Sequence, residues 1–240
     1  PAQLPNAGFE DWHGDSPLYI YKSGGEMFWD SGNTGSATLN KNVTTYDAAI
    51  KHSGNYSAKL QSQYVALLGI GAFAAGNIFV GKFLKIDGTD GILRFGRPFT
   101  SRPSKLVLYY RYVAGTVDYS TLGELPKNSK DMGSIYVALG DWPHQTFEGE
   151  TDIPVLIKTK PADRQLFDSN SSNVIGYGEC ILKESTEGEG LIKLEIPINY
   201  RSNRKPTDII LVGSASRYGD YFTGSTGSTL WLDDLELIYE

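Results

Sequence analysis

Apolar residues in this chain recur at every second position or in short continuous runs, and almost nowhere at the three-and-four spacing of an amphipathic helix. The clearest strands read as residues 106–113, 135–139, 155–158, 191–196, 208–212 and 230–239, with earlier ones at 57–61, 78–83 and 92–95. Turn chemistry punctuates them: Asp87-Gly88, Asp90-Gly91, Arg97-Pro98, Arg102-Pro103 and Lys205-Pro206. Many short strands separated by such turns predict an all-β sandwich or barrel. Residues 65–81 carry no charge and approach the length of a membrane-spanning helix. Gly69, Gly71, Gly76 and Gly81 interrupt them, and each costs a helix about 1 kcal/mol relative to alanine. The segment reads as glycine-punctuated strands and turns packed into the core, with no membrane span. The polar stretch 163–173 reads as an exposed loop or short helix. No linker or repeat divides the chain, so residues 1–240 form one domain.

The last strand breaks its own rhythm. Leu230 and Leu232 share one parity, whereas Leu235, Leu237 and Tyr239 fall on the other. Side chains alternate strictly along a strand, so the core-facing phase must switch at Asp233-Asp234 unless both faces are covered. A β-bulge is the usual device.

Charge removes one class of partner. A formal net charge of -6 with no clustered basic run argues against nucleic acid, whose affinity rests on Lys and Arg. The single cysteine, Cys180, cannot form an internal disulfide, and His13, His52 and His144 are too scattered to build a zinc site around it.

Both ends carry recognisable text. Gly8-Phe9-Glu10 in a first strand region, together with Leu230-Trp231-Leu232-Asp233-Asp234-Leu235-Glu236-Leu237, resembles the two ends of jelly-roll carbohydrate-binding modules. That resemblance implies a two-sheet antiparallel jelly-roll sandwich with adjacent N- and C-terminal strands. It also implies a structural calcium held by Glu10 and Asp233 or Asp234. Calcium takes six to eight oxygens, so two carboxylates with carbonyls and water are chemically sensible; turn capping is the other reading of the same acids. Inside the chain, Ala75-Gly76-Asn77-Ile78-Phe79-Val80-Gly81, Phe95-Gly96-Arg97-Pro98-Phe99, Leu108-Tyr109-Tyr110-Arg111-Tyr112 and Gly213-Ser214-Ala215-Ser216-Arg217-Tyr218-Gly219-Asp220-Tyr221 follow in order. Over essentially the whole chain these blocks resemble the Putative carbohydrate metabolism domain family of surface lipoproteins and secreted proteins. The resemblance implies export to the cell surface or outside it, and a role with sugars, without naming a catalytic motif.

Candidate chemistry follows from what sugars need. A pyranose stacks its C–H face on an aromatic ring and offers its hydroxyls to polar side chains. Trp142 stands in Gly140-Asp141-Trp142-Pro143-His144-Gln145, Trp29 precedes a turn-rich loop, and Tyr218 and Tyr221 crowd a glycine-rich one. These four are the expected ligand-binding residues. A glycosidase needs two carboxylates at set separation, and Asp141, Glu148, Glu150 and Asp220 are the acids best placed beside aromatics or loops. No nucleophile elbow, zinc motif or phosphate loop is present, and Gly69-Ile70-Gly71 lacks the rest of a dinucleotide fingerprint. The sequence therefore favours a non-catalytic glycan-binding surface module that captures an oligo- or polysaccharide. A glycoside hydrolase is the first alternative, and a scaffold docking other surface proteins the second.

Overall fold

The computed structural model describes residues 1–67 and 70–240. In chain order its sandwich strands are β1 (Trp29–Asp30), β2 (Thr44–Asp47), β3 (Ser57–Gln61), β4 (Asn77–Asp87), β5 (Asp90–Phe95), β6 (Arg97–Pro98) and β7 (Lys105–Val113). There follow β8 (Gly133–Gly140), β9 (Val155–Lys158), β10 (Val174–Leu182), β11 (Ile192–Pro197), β12 (Asn199–Tyr200), β13 (Asp208–Ser214) and β14 (Thr229–Ile238). Among the described residues they form a nine-stranded sheet ordered β9-β5-β4-β13-β8-β10-β12, with β1 added on β4 and β6 on β13. A five-stranded sheet ordered β11-β7-β14-β3-β2 packs against it. Every pairing is antiparallel, and the chain crosses repeatedly from one sheet to the other, as a jelly-roll sandwich requires.

Alternation decides which side chains fill the space between the sheets. Ile135, Val137 and Leu139 of β8 and Ile209 and Leu211 of β13 point inward, meeting Leu106, Leu108 and Tyr112 of β7 and Leu230 and Leu232 of β14. The opposite parity of the large sheet is also apolar. Phe79, Leu93, Phe95, Ala138, Ile210 and Val212 build a second cluster on its outer face. β13 is buried at all seven of its positions, which explains why it reads as a continuous run rather than an alternation.

The phase switch in the last strand is a bulge. Val107 pairs with Glu236 but Tyr109 pairs with Asp233, so one extra residue lies on β14. Asp234 absorbs it at φ +47°, and Leu235 and Leu237 regain the core at 6% and 1% exposure.

The expected first strand is a turn. Asn6 and Phe9 adopt φ +49° and +50°, and the Asn6 carboxamide oxygen accepts the N–H groups of Glu10 and Asp11. The termini are nonetheless adjacent: Gln3 exchanges two hydrogen bonds with the Leu237 backbone, and Leu235 N–H donates to Ala7. The uncharged segment is strands and turns, as read, and Ile78 and Val80 of β4 do pack in the inter-sheet core. Its first part departs from the reading: Gln63–Leu67 and Ile70–Ala74 pair as a hairpin that stands over the outer face of the large sheet, outside that core; Gly69 lies outside the described residues. Residues 163–173 follow a short 3-10 turn, Pro161–Asp163, and lay Leu166 and Phe167 on the outer apolar cluster instead of leaving them exposed. No described helix is long and apolar enough to cross a membrane.

Candidate functional site

The outer face of the large sheet is not flat. A short helix, α1 (Asn33–Ser36), with its 3-10 extension Ala37–Leu39, stands along one side. The paired strands Gln63–Leu67 and Ile70–Ala74 and the loop 216–222 stand along others, and together they enclose a cleft of about 260 Å³. Its floor comes from outward positions of four strands: Phe79 and Phe83 of β4, Leu93 and Phe95 of β5, Ile157 of β9 and Val212 of β13. Phe73 from the hairpin and Phe222 from the loop close it above.

Polar groups gather at the rim. The loop 216–222 folds through a one-turn 3-10 helix, Gly219–Tyr221, and reverses at Phe222 with φ +53°. This sends Arg217, Asp220 and Phe222 into the cleft lining and leaves Tyr218 and Tyr221 out of it. Asp220 is open to solvent within the cleft, yet protein surrounds it on most sides. That desolvation raises its carboxyl above the usual range, with the Arg164 guanidinium pulling the other way. Tyr136 of β8 lines the same wall, and desolvation, reinforced by the charge of Asp220, pushes its hydroxyl far above the ordinary tyrosine range. Asp90, the first residue of β5, also lines the cleft. Burial and Asp87 raise it, against Lys160 and Arg164. Arg164 itself lies 4.6 Å from the Tyr221 ring centre and donates to the Thr159 carbonyl.

One buried carboxylate holds the loop in place. Asp131, fully buried, accepts from Ser216 Oγ at 2.7 Å, Ser228 Oγ at 2.8 Å and Ser225 N–H at 2.9 Å through one oxygen, and from Met132 N–H at 2.8 Å through the other. Its acceptors therefore clamp both ends of the segment that carries Arg217, Asp220 and Phe222.

The family model described as Putative carbohydrate metabolism domain matches residues 8–238. The chain belongs to this family. No curated protein sequence matches it. Among solved structures, a protein from Bacteroides vulgatus described as a putative glycoside hydrolase aligns at TM-score 0.69 and 25% identity, over 100% of this chain and 98% of its own. A second protein so described, from Bacteroides thetaiotaomicron, aligns at TM-score 0.69 and 22% identity, over 98% of this chain and 70% of its own. The chain thus carries this domain on an antiparallel β-sandwich.

Within this carbohydrate metabolism domain, most of the expected site residues are dispersed. Trp29 is not a platform: it is fully buried, edge-on to Phe9 and Phe28, with its indole N–H donating to the Pro5 carbonyl at 2.8 Å. Trp142 is 7% exposed and packs edge-on to Phe167, so it keeps one rim on a shallow depression and no stacking face. Tyr218 and Tyr221 are half-buried beside the cleft, each covered by a guanidinium, from Arg217 and Arg164. Asp141 is an ion-pair partner. Burial alone would raise it, but Arg204 and Asn173 together outweigh that and hold its carboxyl below the usual range. Glu148 sits exposed on a hairpin turn, paired with Lys85 at 2.9 Å. Glu150 lies between Lys82 and Arg94, which overcome its desolvation and lower it. Only Asp220 of the expected acids lines the cleft. The sequence reading missed Asp90, Tyr136 and Arg164. Tyr136 had a signal: it shares a parity with Ser134, out of phase with the core residues of β8. Asp90 was read as opening a turn with Gly91; both are strand residues of β5, and the one turn there is Gly88-Thr89.

The three acids expected to hold calcium are gathered differently. Both Glu10 oxygens accept the Asn55 N–H, and one also accepts that of Tyr56. Asp233 Oδ2 accepts the N–H groups of His52 and Ser53, while its Oδ1 accepts that of Asp234. Asp234 Oδ2 meets His52 Nδ1 at 2.6 Å and Ser53 Oγ at 2.5 Å. Burial pushes the Asp233 carboxyl up to about 6, against its N–H partners, and neighbouring Asp234 adds to the rise. Oxygens already aimed at N–H donors do not fit a calcium cage, and no cluster of three or more His, Cys, Asp or Glu able to hold a metal occurs among the described residues. The acids fit instead as caps that fasten the loop 47–56 to the bulge of β14. Excess chelator is accordingly expected to leave the melting temperature unchanged, since a resident ion would have stabilised the fold by mass action. A fall reversed by added calcium would contradict this.

Proposed function

We propose that the domain binds a glycan in the cleft on the outer face of its large sheet, without cleaving it, as part of an exported protein held at or beyond the cell surface. The observation that supports this best is the cleft itself: a mainly apolar floor with a few polar side chains, Asn77, Ser134, Tyr136 and Ser214 on the strands and Arg217 and Asp220 on the loop, the pattern a small-molecule site needs. The family and its sugar-directed neighbours supply the ligand class. Hydrolysis would require more. Paired carboxylates stand about 5–5.5 Å apart in retaining glycosidases and about 6.5–9.5 Å apart in inverting ones. Of the four acids that the sequence offers, only Asp220 lines the cleft, while Asp141, Glu148 and Glu150 are held in ion pairs outside its lining.

One observation favours the hydrolase reading in second place. Asp90 and Asp220 both line the cleft and both are raised, as a general acid must be. A glycan array, with reducing-sugar release measured on each hit, separates the readings. Binding without product is expected. Turnover abolished by Asp220→Asn would replace binding with catalysis. Silence across the array would shift the weight to a protein partner.

A further inference from the structure

Charge in the cleft is not balanced. Among the described residues, its charged lining is Asp90, Arg217 and Asp220. Arg217 is already neutralised, its guanidinium 2.9 Å from Glu179. Neither Asp90 nor Asp220 has an ion-pair or side-chain hydrogen-bond partner among the described residues. The cations that act on them from a distance are occupied elsewhere. Lys160 pairs with Asp87 at 3.4 Å, and Arg164 stacks on Tyr221 and donates to the Thr159 carbonyl. Desolvation therefore raises both carboxyls.

Neutral polar groups in the same cleft are open as well. Asn77 of β4, Ser214 of β13 and Ser134 of β8 stand in register in one row, with Phe79, Val212 and Tyr136 in the next. Ser214 is engaged with Ser216, and Asn77 Oδ1 accepts from Gly32. Asn77 Nδ2, Ser134 Oγ and Tyr136 Oη have no partner among the described residues. Ser134 is 6% exposed and lines the cleft, so a ligand can meet its hydroxyl only from inside. The charge of Asp220 acts on Tyr136, which places the carboxylate at the same end as these hydroxyls.

A sugar ring suits the two rows, its C–H face on Phe79 and Val212 and its hydroxyls along the polar one. A neutral sugar, however, would strip water from Asp220 and return no charge, which costs affinity. An acidic sugar would add repulsion. An ammonium group offsets the carboxylate and brings three donors, in hydrogen bonds roughly twice as strong as neutral ones.

We propose that the cleft takes an amino sugar whose amine is unmodified and positively charged, with the amine on Asp220, the ring on Phe79 and Val212, and hydroxyls on Asn77 and Ser134. This rests on the glycan-binding reading of the same cleft and names the class of sugar.

The test titrates the full chain at about pH 7, where a free amine is largely protonated, by calorimetry. Its ligands are the methyl β-glycosides of glucosamine and galactosamine, their N-acetyl forms, and those of glucose and galactose. Cyclohexylamine supplies the charge without the sugar. At least one amino sugar is expected to bind about tenfold or more tightly than both its N-acetyl and its hydroxyl counterpart. Asp220 is open to solvent within the cleft, so Asp220→Asn keeps the shape and removes the charge. In that variant the amino sugar should fall to the affinity of its counterparts. Equal binding of all three forms would overturn this proposal and leave the glycan reading standing. A preference for the amine that survives Asp220→Asn would overturn it too. Cyclohexylamine matching the amino sugar would count against both, because the sugar would then contribute nothing. Failure of every compound would overturn this proposal, while the glycan array decides the reading beneath it.

Discussion

Asp131→Ala is expected to lower stability by about 3 kcal/mol and the melting temperature by about 6–12 °C, and to weaken ligand binding with it. The carboxylate is fully buried and accepts four hydrogen bonds, two from serine hydroxyls and two from backbone N–H groups. Serine hydroxyls can turn to new acceptors; the N–H groups of Met132 and Ser225 cannot, and each buried donor left unpaired costs about 1–3 kcal/mol. Part of that loss is offset, because burial raises the Asp131 carboxyl against the pull of these same partners, which marks its charge as costly to hold there. The damage should also be local. Ser216, Ser225 and Ser228 bracket the loop that carries Asp220 to the rim, so hydrogen exchange should rise first across residues 216–228. A variant as stable as the parent, with that loop still protected, would show that the carboxylate is not its clamp.

Trp29→Ala is expected to cost about 4 kcal/mol and roughly 10 °C of melting temperature. Its indole is wholly enclosed, edge-on to Phe9 and Phe28, and its N–H is spent on Pro5. It also anchors β1, whose Trp29 and Asp30 pair with Val80 and Phe79 of β4, the strand that floors the cleft. The conservative change Trp29→Phe separates packing from recognition. It should keep most of the stability and all of the ligand affinity. A Trp29→Phe protein that melts near the parent temperature yet no longer binds would restore Trp29 as a sugar platform.

Much of the fold can be read along the chain because one face of each sheet is buried and the two-residue period is strict. The strands at 57–61 and 155–158 have the bounds expected, and the phase change at Asp233-Asp234 is a bulge, as alternation demanded. Strand β10 escaped because its inward positions include Gly176 and Gly178, which look like breakers. They are there for space: a Cβ on Gly178 would lie 2.3 Å from the Pro197 carbonyl, and one on Gly176 2.8 Å from the Tyr200 ring. The site was much less legible. Aromatic residues in polar sequence neighbourhoods looked like platforms, yet Trp29 and Trp142 fill cores on either face of the large sheet. This sheet is apolar on both sides, so polarity along a strand does not tell a cleft floor from an inter-sheet core. The cleft is made by the hairpin, α1 and the 216–222 loop meeting across residues far apart in sequence. Asp220 could be picked out because its glycine-rich loop is itself a local signal. Arg164 has none.

The central claim is that sugar binds in this cleft, and Ser134→Trp tests it most directly. Ser134 lies on β8 two residues before Tyr136, is 6% exposed and lines the cavity, so an indole there fills the open space. Ile192 on the edge strand of the opposite sheet is 45% exposed, and Ile192→Trp adds the same ring far from the cleft. Titration of the strongest glycan hit into both variants, each first shown to melt near the parent temperature, is predicted to show no binding to Ser134→Trp and parental affinity for Ile192→Trp. Parental affinity in the Ser134→Trp protein would contradict the account.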